Sequence, residues 1–398
     1  MEPGRTANSW LPLLALSTTV AVSFGVLLYS VSVLITEKAA GSVFSTTVLS
    51  AGYGGALLVG GLLAPSVGRH VDRLGVRLVF VTGIGLGALG VTVLSVADAP
   101  WQVLAAFWLL IGPAGSMTFY EPAFVAVEQW FGSVQRARSL AVLTVIGGLA
   151  GPIFLPLTSA LVDSLGWRSA ARVLALVLVL VGAPAAVLMA RTAFEHTGAV
   201  PHESRVATLG RLLRDRRFVI YTASVALMFL CVQAMLLHRI ALFEAGGFTV
   251  ATASAGAAVA SLLSFPGRFT APFMARSWGG LNIQLVALLL LAVSAGVAVD
   301  GSETWQLVLH FGVFGLAFGA MLPIRASIMG DWYSGESYGQ VMGSQWMVAS
   351  IAGALGPALV GAVRDGTDGY GIPMVLVTAG LVVAAALTVA SVRVPAPR

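Results

Sequence analysis

Long apolar runs separated by short polar turns fill most of this sequence of 398 residues. Most of the runs contain 18 to 27 residues, and as α-helices they reach across a hydrocarbon core of about 30 Å. The pattern predicts twelve membrane-spanning helices and leaves no stretch for a soluble output domain. The predicted spans cover residues 10–35, 42–66, 78–97, 102–128, 139–162, 169–190, 218–240, 251–275, 282–300, 305–329, 339–363 and 371–392.

Composition supports the same class. Hydrophobic residues make up 58% of the chain and charged residues only 10%, with a mean hydropathy of +0.92. A water-soluble domain of this size needs far more charge on its surface, so we expect an all-α polytopic membrane protein. The first apolar run is too long for the core of a signal peptide and lacks a cleavage site, so it is expected to be the first span. The single cysteine, Cys231, excludes an internal disulfide framework.

The longest polar stretch lies near the middle of the chain, at residues 191–217. Its positive charge predicts a cytoplasmic location by the positive-inside rule. We therefore expect an N-terminal six-helix bundle at 1–190, a cytoplasmic linker at 191–217 and a C-terminal six-helix bundle at 218–398, with both termini in the cytoplasm. The linker contains six arginines: Arg191, Arg205, Arg211, Arg214, Arg216 and Arg217.

The net charge of +5 is then a property of membrane topology, and no nucleic-acid binding is expected. All basic residues except Lys38 are arginines, and Ala, Gly and Val are abundant. This bias is typical of high-GC bacterial genomes, so we expect a bacterial cytoplasmic membrane with the lipid bilayer as the protein's surroundings.

Paired motifs in the two halves predict an internal duplication. Trp130-Phe131 after the fourth span matches Trp332-Tyr333 after the tenth. Gly151-Pro152 in the fifth span matches Gly356-Pro357 in the eleventh, in the same order and about 200 residues apart. Six-helix repeats of this kind build many transporter folds.

A charged segment at residues 68–77 separates the second and third apolar runs. Gly68, Asp72, Gly75 and Arg77 follow the pattern Gly-x-x-x-Asp-x-x-Gly-x-Arg. Glycines allow a tight turn between helices, and a carboxylate can interact with the N-terminus of a neighbouring helix. The spacing resembles the loop between the second and third helices of the major facilitator superfamily of transporters, which implies that superfamily's fold of two six-helix bundles.

The resemblance implies that Asp72, Arg73 and Arg77 act as a conformational latch, with Gly68 and Gly75 shaping the turn. We expect Asp72 to contact either the end of the eleventh helix or the loop that carries Arg136 and Arg138. The alternative is a basic loop that only sets topology.

Further motifs resemble the monocarboxylate and oxalate/formate transporter families within that superfamily. Trp130-Phe131 is followed by Arg136 in a Trp-Phe-x-x-x-x-Arg arrangement, and Gly166-Trp167-Arg168 follows the fifth span. Arg268, inside the eighth span, stands where those families carry a substrate-binding arginine.

The sequence also departs from these families. Tyr29 stands near the position where the proton-coupled members carry a lysine, and Ser264 stands where they carry a carboxylate one turn before the arginine. The eleventh span has Gln345 and no cation. One central cation suits a substrate with a single carboxylate, and the missing carboxylate leaves the proton route open.

Arg268 is the first candidate for substrate binding. A charged side chain within a span is costly, so it marks a functional site by default. A guanidinium binds a carboxylate in bidentate fashion, and Pro266, Gly267 and Pro272 are expected to loosen the helix around it. The alternative is an arginine that extends toward the cytoplasmic interface.

Three more polar residues are candidate substrate contacts, beside Tyr29. His238 lies late in the seventh span, where the resemblance places a histidine at the substrate; the alternative is an interfacial residue at a helix end. Thr118 and Tyr120 lie in the fourth span, where the related carriers use an amide and a tyrosine. The alternative for Tyr120 is packing.

Glu121 and Arg325 lie at similar depth in the fourth and tenth spans, because Glu121 is nine residues before Trp130 and Arg325 seven before Trp332. An ion pair that exists in only one conformation would act as a gate. The alternative is two separate structural pairs. Glu121 is also the expected proton carrier if protons are coupled.

The motif search favours a carrier over an enzyme. The sequence contains no metal-binding His-x-x-x-His, cysteine cluster or Walker loop. Gly335-Glu336-Ser337-Tyr338-Gly339 has the Gly-x-Ser-x-Gly spacing, but it lies between two predicted spans and not at a strand-to-helix turn. We therefore expect no enzymatic activity, no cofactor and no metal. The predicted function is secondary transport of a small organic anion such as lactate or pyruvate by a monomer, with protons as the candidate symported ion. The alternative is efflux of drugs or other amphipathic molecules.

The gate makes a testable prediction. Glu121→Arg and Arg325→Glu should each abolish transport, and the double variant should restore it because the opposite charges again face each other. Uptake into proteoliposomes measures this, with reconstituted protein quantified for each variant. A double variant no more active than either single variant would contradict the gate.

Overall fold

The computed structural model describes residues 10–35, 40, 43–131, 133–189, 205–333 and 338–393. Within these ranges the chain is almost entirely helical, with twelve long helices and no strand. They are α1 (Trp10–Leu34), α2 (Thr46–Leu74), α3 (Val76–Val96), α4 (Pro100–Trp130), α5 (Ser133–Gly148 and Ala150–Leu165), α6 (Trp167–Leu188), α7 (Arg216–Ala245), α8 (Val250–Trp278), α9 (Gly280–Val297), α10 (Thr304–Tyr333), α11 (Tyr338–Thr367) and α12 (Gly371–Val392). The all-α membrane fold predicted from the sequence is confirmed.

Among the described helices, all of the twelve except α8 are long and apolar enough to cross a membrane by composition. Helix α8 has 29 residues, a length of about 43 Å at 1.5 Å per residue. Its two arginines, Arg268 and Arg276, both lie in its second half and lower its mean hydropathy there.

The predicted linker lies partly outside the described residues, which begin again at residue 205 after residue 189. Arg191, Lys38 and the two chain ends (1–9 and 394–398) fall in the undescribed stretches. A short helix, Arg205–Arg214, precedes α7. The side chain of Asp215 then accepts hydrogen bonds from the backbone N–H groups of Arg217 (2.9 Å) and Phe218 (3.3 Å), which caps the start of α7.

The helices form two compact units. The first comprises the described residues of Met1–Glu203 together with Tyr333–Met347, and the second those of Ser204–Trp332 and Val348–Arg398. The chain therefore passes from one unit to the other inside α11.

The charged segment 68–77 was expected to be a loop, and this expectation is wrong. Helix α2 continues to Leu74, and only Gly75 lies between it and α3. Gly75 has a φ of 75°, and its N–H still donates to the Val71 carbonyl at 3.0 Å. Gly166 makes the same turn between α5 and α6, with a φ of 75°. Glycine adopts this φ without steric cost, so one residue is enough to reverse the chain.

Close packing between helix backbones holds each unit together. In the first unit α2 meets α4, where a Cβ on Gly112 would lie 2.7 Å from the Ala56 carbonyl oxygen. In the second unit α8 meets α10, where a Cβ on Gly315 or Gly319 would overlap the carbonyl oxygens of Ala260 and Ser264. Small residues let helices approach this closely in a membrane.

The two units repeat this contact with one difference in spacing. Gly52 faces the ring of Phe107, and Gly256 faces the ring of Phe311. From Phe107 to the next contact, Gly112, there are five residues, whereas from Phe311 to Gly315 there are four. The extra residue falls in the π-helical segment Ala106–Ile111 of α4, and a π-helical turn accommodates one additional residue. Helix α10 has no such segment.

Two prolines interrupt helices and two others do not. Helix α4 breaks at Phe119, three residues before Pro122, and α5 breaks at Leu149, three residues before Pro152. A proline cannot donate to the carbonyl four residues earlier. Helix α8, by contrast, is continuous across Pro266 and Pro272.

Helix α8 is therefore continuous around Arg268, and the expected loosening of this helix remains a prediction. Gly267 lies against the Leu316 carbonyl and the Ala320 N–H of α10. This contact keeps α8 in place where the proline rings remove two helical hydrogen bonds.

The α8–α10 contact makes a stability prediction. Gly319→Ala places a methyl group against the Ser264 carbonyl and should lower stability by about 1–3 kcal/mol, the usual cost of overpacking. Gly312 lies on the same helix with open space around its Cα, so Gly312→Ala is the matched control. It should be neutral or stabilising by up to about 1 kcal/mol. Thermal melting in detergent measures both, and equal destabilisation by the two variants would contradict the packing argument.

Candidate functional site

A break in α4 brings three of the predicted residues together. Thr118 ends the first half of the helix, Phe119 has extended backbone, and Tyr120 begins the second half. Pro122 explains the break, because it has no N–H for the Thr118 carbonyl. Glu121 lies in the first turn of the second half, where the helix dipole favours a negative charge.

Tyr120 and Tyr29 both pack on glycines of α5. The Tyr120 hydroxyl donates to the Thr144 carbonyl oxygen at 3.3 Å, and a Cβ on Gly147 would contact the same hydroxyl. The half-buried Tyr29 lies over Gly151, whose Cβ would come 3.3 Å from the ring. The two tyrosines therefore cover one face of α5, one helical turn apart.

The hydroxyl group of Thr118 forms its hydrogen bond within α4. The residue is completely buried, and its Oγ1 donates to the Ala114 carbonyl at 2.8 Å. This bond stays within the same helix turn, as is common for threonine in helices. A substrate role for Thr118 remains a prediction.

Arg268 is buried in the second unit, with 9% of the residue exposed. Its Nε donates to Ser264 Oγ at 3.4 Å, and Ser264 Oγ donates to the Ser261 carbonyl at 2.7 Å. Pro272 has no N–H for the carbonyl of Arg268 itself. Arg276, two turns further along the same helix, is exposed, so the two arginines of α8 have different surroundings.

His238 uses both ring nitrogens within the second unit. Its Nε2 lies 2.9 Å from the Pro357 carbonyl oxygen, which can only accept, so Nε2 donates there. Its Nδ1 lies 3.3 Å from the Tyr370 hydroxyl. The half-buried imidazole thus connects α7 with α11 and with the residue before α12.

Asp72 caps the start of α11 inside the first unit. Its carboxylate accepts hydrogen bonds from the backbone N–H groups of Gly339 (2.9 Å) and Gln340 (3.0 Å). Gly68 and Gly339 lie backbone to backbone beside it, and Gly343 does the same with Ala64. Of the two contacts expected for Asp72, the structure shows the one with the eleventh helix. Its role as a latch stays a prediction.

The arginines near Asp72 are at the surface: both Arg73 and Arg77 are exposed. The arginines of the family motifs are held more tightly. Arg136 Nη1 lies 3.0 Å and 2.9 Å from the two carboxylate oxygens of Glu128. Arg168 donates to the carbonyls of Ser95 and Ala97, each at 2.9 Å, which closes the end of α3.

Sequence analysis missed Glu128, which lies eight residues before Arg136 on the other side of Trp130-Phe131. An acidic residue this close to a motif arginine was the available signal. It also missed Arg239 and His310, which lie in the second unit beside a cluster of phenylalanines.

The two residues of the proposed gate lie in different units. Glu121 is 8% exposed in the first unit. Arg325 is completely buried in the second, where its charge acts on Tyr221. Their pairing stays a prediction. In the described part of the chain, no three His, Cys, Asp or Glu side chains are grouped so that they could hold a metal ion.

The apolar helices, the repeated helix contacts and the buried arginine define a multi-pass membrane carrier. The chain belongs to the Major Facilitator Superfamily, whose sequence profile matches residues 6–299. The resemblance drawn from Gly68 to Arg77 is therefore confirmed at the level of the superfamily, and so is its fold of twelve helices in two six-helix bundles.

Relatives of different described functions are similar to the chain. Monocarboxylate transporter 13 of Rattus norvegicus is 27% identical over 326 residues, which cover 80% of this chain and 72% of that protein. Multidrug resistance protein MdtH of Klebsiella pneumoniae is 26% identical over 325 residues, covering 77% and 75%.

Solved structures share the fold at low identity. The transporter FucP in the outward conformation is 15% identical with a TM-score of 0.75, covering 96% of this chain and 98% of that one. The human organic anion transporter MFSD10 is 18% identical with a TM-score of 0.69, covering 98% and 100%. These identities support the fold alone.

The Asp72 cap makes a prediction. Asp72→Asn removes the charge that strengthens two hydrogen bonds to the start of α11, at a cost of about 1 kcal/mol. Hydrogen exchange at the amides of Gly339 and Gln340 should become faster. Asp163→Asn, at an exposed acidic residue of the same unit, is the control and should leave those amides unchanged. Equal exchange in both variants would remove Asp72 from the stabilisation of α11.

Proposed function

We propose that this protein is a secondary active transporter of a small monocarboxylate, such as lactate or pyruvate, that works by alternating access. The observation that carries the proposal is the burial of Arg268 in the interior of α8, beside the close contact between α8 and α10. A carboxylate matches the paired donors of a guanidinium, so a buried arginine on this helix is suited to bind the carboxylate of a substrate.

The chemistry around Arg268 favours one carboxylate. Ser264, one turn before it, is neutral and accepts a hydrogen bond from Nε. Tyr29 and Tyr120 of the first unit remain proposed substrate contacts, because each carries an aromatic ring and a hydroxyl group. The monocarboxylate transporters among the relatives, at 27–28% identity, support the same substrate class.

Proton coupling is part of the proposal, with Glu121 as the carrier of the proton and the protein as a symporter. Glu121 is buried, and it lies at the break of α4 where a conformational change would alter its surroundings. Ser264 cannot take this role because a hydroxyl does not titrate in the physiological range. The residues Gly68, Asp72, Arg73, Gly75 and Arg77 are proposed to control the conformational change, with Arg325 as the partner of Glu121.

The surroundings of the carrier are inferred from charge and composition. We place both termini in the cytoplasm of a bacterium, with a monomer as the transporting unit and the linker 191–217 on the cytoplasmic side. The two six-helix bundles 1–190 and 218–398 are proposed to be the moving bodies.

The relatives support a second candidate, efflux of drugs or other amphipathic molecules. MdtH of Klebsiella pneumoniae carries the description multidrug resistance protein and is as similar to this chain as the monocarboxylate transporters are. Counterflow of labelled lactate against a labelled lipophilic dye separates the two functions. Lactate counterflow supports the monocarboxylate carrier, and dye counterflow alone supports efflux.

Substitution of Arg268 tests the substrate class. Arg268→Lys keeps the positive charge but loses the planar, paired donors, so lactate uptake into proteoliposomes should fall about 100-fold. Arg276→Lys on the same helix is the matched control and should retain uptake. Normal uptake by Arg268→Lys would overturn the role of Arg268. Failure of the wild type to carry any monocarboxylate would overturn the function itself.

A further inference from the structure

Arg239 is a second partly buried arginine of the second unit, one residue after His238 on α7. Its guanidinium lies over the rings of Phe311 and Phe314, with the central carbon 5.5 Å and 5.2 Å from the ring centres. The side chain is half-buried, but its Nε and Nη1 are inaccessible and donate to no acceptor in the described residues. None of the ion pairs in the described ranges involves Arg239.

This arrangement is costly without a ligand. A guanidinium is always charged, and buried donors without acceptors lose the hydrogen bonds that water would supply. The contact with two aromatic rings offsets part of the cost but satisfies no N–H group. An anion at this position would supply the hydrogen-bond acceptors that the described residues do not provide for Nε and Nη1 of Arg239.

His310 presents the complementary group. It lies on α10, 1% exposed, and its Nδ1 is 3.0 Å from the Ser294 carbonyl oxygen. Ser294 Oγ lies 3.1 Å from Nδ1 but donates its own proton to the His310 carbonyl oxygen. Because the Ser294 carbonyl oxygen only accepts, Nδ1 carries the proton. Nε2 of the neutral imidazole is then a hydrogen-bond acceptor, and it has no donor in the described residues.

Both groups border one set of rings, Phe243, Phe311 and Phe314, here called the aromatic cluster. The His310 ring centre lies 5.3 Å from that of Phe243 and 4.9 Å from that of Phe311. Arg239 lies over Phe311 and Phe314, and the ring of His310 lies 4.9 Å and 6.0 Å from the centres of the same two rings. Donors without an acceptor and an acceptor without a donor therefore border the same apolar surface.

We propose that Arg239 and His310 form a binding site for a 2-hydroxy monocarboxylate, whose carboxylate accepts from Arg239 and whose hydroxyl donates to His310 Nε2. The aromatic cluster holds the short apolar part of the ligand. This inference rests on the proposed function and narrows its substrate class from monocarboxylates to 2-hydroxy acids, because a ligand with a donor beside its carboxylate matches both groups.

The site is separate from Arg268. Phe311 packs on Gly256 of α8, twelve residues before Arg268, or about 18 Å along a helix. A 2-hydroxy acid would therefore occupy the Arg239 site and the Arg268 site at different stages of transport.

Thermal melting of the purified protein in detergent tests the site directly, with lactate and propionate as probes. Propionate has the same carbon chain and carboxylate but no hydroxyl. In the wild type, lactate should raise the melting temperature more than propionate at equal concentration, because a ligand that binds only the folded state stabilises it.

Three variants separate the contribution of Arg239 to ligand binding from that of His310. Arg239→Met should melt at the same or a higher temperature without ligand, because a buried charge is removed. Both acids should shift it less than the wild type, because only the Arg268 site then binds them. His310→Asn keeps a donor for the Ser294 carbonyl, but its shorter side chain places no acceptor at the position of Nε2, so lactate and propionate should give equal shifts. Arg216→Met, at an exposed arginine of the same helix, is the control and should respond as the wild type does.

The proposal fails if lactate shifts Arg239→Met as much as the wild type, or if His310→Asn still distinguishes lactate from propionate. Uptake into proteoliposomes distinguishes this failure from failure of the proposed function. Wild-type uptake of lactate with an unchanged KM in Arg239→Met overturns only the new site. No wild-type uptake of any monocarboxylate overturns the transport function and the site with it.

Discussion

Direct contact between helix backbones is the constraint on which the rest of this structure depends. Lipid surrounds the helices with a medium as apolar as their own side chains, so helix association relies on close packing more than on the hydrophobic effect. Gly315 and Gly319 let α10 reach the backbone of α8 at Ala260 and Ser264. Arg268 lies one turn beyond Ser264, and its burial follows from this approach. The glycines that hold the second unit together therefore also determine the position of Arg268.

Prolines interrupt helices at some positions and leave them continuous at others. Pro122 and Pro152 interrupt α4 and α5, and the freed turns present Tyr120, Glu121 and the glycines under the two tyrosines. Pro266 and Pro272 leave α8 continuous, because Gly267 rests on the backbone of α10. The two units therefore present different groups. The first has aromatic hydroxyls and a carboxylate at a helix break, and the second has arginines on continuous helices.

The second unit contains several arginines that are buried or half-buried. Arg268 and Arg325 were predicted from the sequence because they stand well inside apolar runs. Arg239 was overlooked because it follows His238 near the end of a run, where an interfacial position is the usual interpretation. Its significance depends on Phe311 and Phe314, about 70 residues further along the chain, and on His310. No local pattern connects these residues.

The sequence by itself determined the number of helices and the superfamily, because hydropathy and spacing are properties of neighbouring residues. It also indicated Asp72 as a cap for another helix, but left two partners open. Only the tertiary structure showed that this partner is the first turn of α11, that α2 continues to Leu74, and that Tyr120 donates to the Thr144 carbonyl. Hydrogen-bond partners and burial depend on which distant segments meet, and in a membrane that is decided by the places where small residues allow two backbones to touch.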